Sequence, residues 1–177
     1  MLSPFSPAFN GYLAKIGEIA IFDMGKAYAL LQKRGADGPE TVYDLSGTLY
    51  KSQSGWILLS VPNAFGRAVF DSLSEDEKNL ELPLMNDQYN AHISVFTDDE
   101  LEQLGGPNKI KELGEQFKYT LGPLQKVTPE GQSDELEKVW FVQVKSPELE
   151  ELRKSYGLSA LPHSTHEFHI TVAVRKL

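Results

Sequence analysis

The sequence predicts an α+β fold made of two similar units. Three observations carry that reading. His92-Ile93-Ser94-Val95 returns near the C-terminus as His169-Ile170-Thr171-Val172. Each copy follows a strand, a proline and a helix in the same order, through Val61-Pro62 in the first half and Ser146-Pro147 in the second. Hydrophobic residues are 41% and charged residues 24% of the 177, the balance of a chain that buries one ordinary core.

The elements are read in order. Residues 1–10, rich in Ser and Pro, predict an irregular arm. A short strand over 16–22, a helix over 25–32 and a loop over 35–40 follow. Apolar, β-branched runs predict strands over 41–50 and 56–61, with residues 52–55 turning between them. Pro62-Asn63 opens a helix through 73, where Phe65, Val69, Phe70 and Leu73 make an apolar stripe. A charged stretch over 74–78, a short strand over 80–84 and a loop over 86–90 lead to the first motif strand. Thr97 and Glu100 have capping-box spacing and start helical pieces that reach about residue 117, broken at Gly105-Gly106-Pro107. Residues 117–127 are extended, with a kink at Gly122-Pro123. An acidic loop over 128–137 precedes a strand over 139–144. Ser146 caps a helix with Pro147 in its first turn, and the helix ends near Tyr156-Gly157. The His169 strand closes the chain.

Side chains on a strand alternate faces. His92 and Ser94 therefore point one way while Ile93 and Val95 point the other. His169 and Thr171 divide from Ile170 and Val172 in the same manner. Free histidine titrates near about 6.5, so both protonation states are accessible at neutral pH. Of two imidazoles, one takes a proton from a nucleophile while the other gives one to a leaving group. The hydroxyls of Ser94 and Thr171 donate to oxygens that gain negative charge. That set suits an anionic phosphodiester without a metal. A single His-x-Ser on a strand is weak evidence, since histidine is often a satisfied, half-buried residue. The chain has only four histidines, and two stand in matched contexts.

Paired His-x-[Ser/Thr]-x motifs on strands, one per half of a chain this size, resemble the two-histidine (2H) phosphoesterase superfamily. That group includes the RNA-ligase-like LigT proteins and the 2′,3′-cyclic phosphodiesterases. The segments GWILLSVPNAFGRAVFDSL (55–73) and QYNAHISV (88–95) resemble its "Swiss army knife" RNA-repair-like branch. Phage enzymes that destroy the cyclic-oligonucleotide signals of CBASS defence are further members. The resemblance covers roughly residues 40–177, and residues 1–38 form an extension without an assigned role. Phe168 stands where a proline before the histidine is common in the family. The resemblance implies a single bilobal domain, in which two pseudo-symmetric antiparallel sheet-plus-helix lobes flank a central cleft. It also implies catalytic roles for His92, Ser94, His169 and Thr171.

Other residues are candidates to bind substrate. Asn90, two before His92, and Arg175, six after His169, share the faces of those histidines if the strands run regularly, and Arg175 could meet a phosphate. Trp140 could stack a base, although its period-two companions Val142 and Val144 suggest core. Glu167 could orient an imidazole or stand as exposed strand-end charge. His163, His166 and His169 fall within seven residues and invite a zinc reading. Positions three apart face opposite ways on a strand, and Pro162 makes a helix start awkward, so no metal and no other cofactor is expected.

Net charge bounds the partners. At −8 the chain lacks the basic footprint of a duplex binder, which favours a small or cyclic nucleotide, or a short oligonucleotide, over duplex DNA or long RNA. No apolar run is long enough to span a bilayer. Cysteine is absent, so disulfides and thiolate metal sites are excluded. The N-terminus shows no signal-peptide pattern, so a cytoplasmic protein is expected. The expected activity is metal-independent cleavage of a nucleotide phosphodiester next to a ribose 2′ position: a 2′,3′-cyclic phosphate, or a linkage in a short or cyclic oligonucleotide such as an immune signal. The alternatives are a module of the same fold that sequesters nucleotide or serves RNA repair without turnover, and ligase-direction chemistry.

Overall fold

The computed structural model describes residues 44–129, 135–162 and 167–177. The expected arm, strand and helix before residue 41, the centre of the acidic loop, and His163 and His166 lie outside the described residues.

Among the described residues, six strands and three α-helices follow in the order β1 (Asp44–Lys51), β2 (Ile57–Ser60), α1 (Asn63–Ser74), β3 (His92–Ser94), α2 (Asp98–Leu104), β4 (Gln116–Val127), β5 (Leu136–Lys145), α3 (Pro147–Ser155) and β6 (Phe168–Lys176). The strands form one sheet in the order β3-β2-β1-β4-β5-β6, and every neighbouring pair is antiparallel. Before and after the central β1–β4 seam the chain runs strand, strand, helix, strand. A motif strand therefore stands at each edge of the sheet. The edges do not lie far apart in space, because the sheet curls until β3 and β6 touch.

Local chemistry places the helices. Thr97 Oγ1 accepts from the Glu100 amide while Glu100 Oε1 accepts from the Thr97 amide, closing the capping box of α2. Ser146 Oγ accepts from the Leu149 amide and opens α3, with Pro147 at its first position. Phe65 and Val69 of α1, Leu101 of α2, and Leu149 and Leu152 of α3 pack with Leu59, Ile93, Trp140, Ile170 and Val172 in one core cluster. The same face of the sheet supplies all the strand residues in that cluster.

Three expectations are corrected. The segment expected as a strand over 80–84 makes a single bridge, in which Glu81 and Val174 exchange both backbone hydrogen bonds. Pro83 has no N–H to give, and Asn79 and Asn86 take positive φ on either side, so the ladder cannot extend. The helical pieces expected to reach 117 stop earlier. Gly105 ends α2 with φ at 95°, one 3₁₀ turn follows at Pro107–Lys109, and Phe117 already lies in β4. The third concerns strand regularity. β5 and β6 pair Phe141 with Thr171 but Trp140 with Ala173, so Val172 is an extra residue, a β-bulge. β4 and β5 slip in register between Leu121 and Leu124, at the expected Gly122-Pro123 kink. No described helix is long and apolar enough to cross a membrane.

Candidate active site

Register decides which way each motif faces. His92 pairs with Ser60 and Ser94 with Leu58, while His169 pairs with Gln143 and Thr171 with Phe141. A polar residue thus stands opposite each histidine and an apolar one opposite each hydroxyl. Ile93, Val95, Ile170 and Val172 are fully buried in the core. The alternating residues His92, Ser94, His169 and Thr171 occupy the opposite, accessible face. Contact between β3 and β6 brings the two motif strands together.

Both rings are anchored by the same local contact. His92 Nδ1 lies 2.7 Å from the carbonyl oxygen of Asn90, and His169 Nδ1 lies 3.4 Å from that of Glu167. Each carbonyl belongs to the residue two before its histidine. A carbonyl only accepts, so Nδ1 carries the hydrogen and Nε2 carries the lone pair. The His169 ring also meets the Phe141 ring edge-on, at 5.2 Å between centroids. Ser60 is fixed in turn, since its hydroxyl accepts from the Thr48 amide at 2.9 Å.

The remaining candidates separate. Asn90 precedes β3 and reaches His92 through its backbone carbonyl. The bulge at Val172 reverses parity, so Arg175 falls on the face of Trp140, away from His169. There its guanidinium lies over the Trp140 ring at 5.3 Å and pairs with Glu77 at 3.3 Å and Glu137 at 3.0 Å. Trp140 is 3% exposed and belongs to the core cluster. The structure therefore brings neither Arg175 nor Trp140 to the histidines.

Two features escaped the sequence reading. Tyr50 pairs with Leu58 and so shares the row of Ser94. Burial pushes its phenol above the ordinary 10.0, so it remains a hydrogen-bond donor at neutral pH. A cavity of about 510 Å³ opens beside Ser94, walled by Trp56, Leu58, Asp98, Asp99 and Pro162. The alternation of Trp56, Leu58 and Ser60 was the signal for it. A larger cavity of about 720 Å³, walled by Glu115, Phe117, Pro147 and Glu148, contains no motif residue, and its carboxylates disfavour an anionic ligand. Among the described residues, no three His, Cys, Asp or Glu side chains gather as a metal site would require.

No curated protein and no solved structure matches the chain. Residues 57–177 match the family model described as Swiss Army Knife, 2H phosphoesterase domain. That span is more than half of the chain and contains both histidine strands and the whole of β2, β4, β5 and the three helices. The chain therefore belongs to the 2H phosphoesterases, a superfamily of phosphodiesterase-type hydrolases.

Proposed function

We propose that the protein cleaves a nucleotide phosphodiester next to a ribose 2′ position by paired-histidine acid–base catalysis without a metal. The substrate is a 2′,3′-cyclic phosphate or a linkage in a short or cyclic oligonucleotide, such as an immune signal, inside the cell. The observation that supports this most is the matched anchoring of the two rings: each Nδ1 faces the carbonyl two residues back, on strands that touch. Both rings then work through Nε2. One neutral Nε2 takes the proton from the attacking oxygen, which is the ribose 2′-hydroxyl in an oligonucleotide or water on a cyclic phosphate. The new P–O bond forms as the bond to the leaving oxygen breaks, and the protonated second ring supplies the leaving oxygen with its hydrogen. Ser94 and Thr171 donate to the phosphoryl oxygens as charge accumulates. Net charge of −8 supports a small substrate over a long polyanion.

The repeated strand-strand-helix-strand order, mirrored about the β1–β4 seam, supports reading the sheet as two pseudo-symmetric lobes with the site at their junction. The test is a panel of 2′,3′-cyclic nucleotides and of cyclic and linear oligonucleotides, with products identified by mass spectrometry. Turnover is expected for at least one class, and a 2′-deoxy analogue at the scissile linkage should bind but resist cleavage. Cleavage of the deoxy analogue at full rate would make water the nucleophile. A panel that binds throughout without turnover would make the protein a sequestering module.

A further inference from the structure

We propose that the cavity beside Ser94 is a nucleobase subsite, in which the Trp56 indole stacks the base and the Asp98 and Asp99 carboxylates accept hydrogen bonds from its amino group. The inference rests on the phosphodiesterase reading of the histidine pair and names the part of the substrate that flanks the phosphate.

Position comes first. Ser60 stands opposite His92 and Leu58 opposite Ser94 on the accessible face. Trp56 continues that row two residues further on, about 7 Å along the chain at the usual strand rise. Its backbone is held at both ends by one residue, since the Trp56 amide donates to Ser52 Oγ at 3.0 Å and its carbonyl accepts from the Ser52 amide at 2.8 Å. The indole projects from this fixed point and is 40% exposed. An aromatic face in the cavity beside Ser94 is where a base can stack, and stacking tolerates any base because every base has a π-face.

Charge then selects what enters. None of the described residues that wall the cavity is basic, and Asp98 and Asp99 repel a second phosphate. A carboxylate only accepts hydrogen bonds. The ligand group that fits is an exocyclic amino group, whose two hydrogens can meet two carboxylates, as on adenine, cytosine and guanine; uracil offers only its single ring N3–H. Leu58 and Pro162 supply apolar walls for the ring edges.

The test titrates the full chain with the four nucleoside 3′-monophosphates and follows indole fluorescence. The only other tryptophan, Trp140, is buried, so a change reports Trp56. Amino-bearing bases should quench and should bind roughly 10-fold more tightly than uridine 3′-monophosphate. The double variant Asp98→Asn, Asp99→Asn should erase that preference. On any substrate that is turned over, Trp56→Ala should raise KM roughly 10- to 100-fold with kcat within a few-fold, and Trp56→Phe should recover most of the loss. Equal affinities for all four bases, or an unchanged KM in Trp56→Ala, would overturn the subsite while leaving the reaction intact. Phosphodiesters of the substrate panel that quench Trp56 while none is turned over would instead defeat the phosphodiesterase reading and leave the subsite standing.

Discussion

At the scale of single residues, each motif imidazole turns Nδ1 toward a backbone carbonyl two residues back on its own segment. The carbonyls of Asn90 and Glu167 are backbone groups, so each ring's tautomer is set by its own strand. His92→Ala and His169→Ala should each lower kcat by at least about 100-fold, the usual scale for a positioned acid or base. Ser94→Ala and Thr171→Ala should cost less, because each deletes one neutral hydrogen bond. All four variants should melt close to the wild type, since these side chains stand on the accessible face. Steady-state kinetics beside thermal melts checks both parts. The rate should fall on both sides of a pH optimum, because one ring must be neutral while the other is protonated. The two limbs belong to the coupled pair, and a full pH profile of either residual activity should lose one of them.

At the scale of elements, Arg153 is the tie between the segments that carry the motifs. It is fully buried on α3, and its guanidinium grips both Glu100 carboxylate oxygens, one of them at 2.9 Å. It also donates to the carbonyls of Val95, just past β3, and of Ser159 and Leu161, on the approach to β6. Arg153→Met should destabilise the fold by about 3–5 kcal/mol, since it takes the buried cation from the Glu100 carboxylate and a donor from each of three carbonyls. Urea unfolding measures this. Burial alone would push the Glu100 carboxyl up, but the Arg153 hydrogen bonds, the Thr97 amide and the nearby positive charge together pull it below the ordinary value. Its stabilising contribution is therefore complete above the unfolded value of about 4.3 and is lost as pH falls through the lower folded value. In Glu100→Gln, stability should decline less steeply than in the wild type below about pH 4.3. Helix α1 offers a second test. A Cβ on Gly66 would lie 1.7 Å from Tyr89 Oη, which is buried just before β3. Gly66→Ala should cost about 1–3 kcal/mol by overpacking, measured as a lower urea midpoint at unchanged slope.

At the scale of the whole molecule, sheet curvature does what no single element can. The motif strands are the two outermost of six, and only the curl of the sheet makes them touch. Two imidazoles and two hydroxyls then supply both the proton transfers and the charge stabilisation of the proposed reaction. Activity should therefore persist in excess chelator. Its abolition, with rescue by zinc, would favour a metal centre built from His163, His166 and His169. Cleavage assays with and without chelator and added zinc decide between them.

Parity along a strand is a local property, and the sequence by itself determined it. Ile93, Val95, Ile170 and Val172 went into the core because alternation and hydrophobicity leave them no other face. The capping box at Thr97 and the Ser146-Pro147 helix start were legible for the same reason, since their hydrogen bonds close within four residues. Arg175 and Trp140 were decided by tertiary structure. One extra residue at Val172 reverses every side chain after it, and the bulge is a matter of pairing between β5 and β6, without a mark in the β6 sequence. Which tryptophan meets the site likewise depended on what packs against each. Trp140 lies in the middle of the long strand β5 and packs into the core, whereas Trp56 enters β2 beside an open cavity. That the two motif strands come together at all was a tertiary outcome, because the distance between sheet edges follows from twist and curl summed over all six strands.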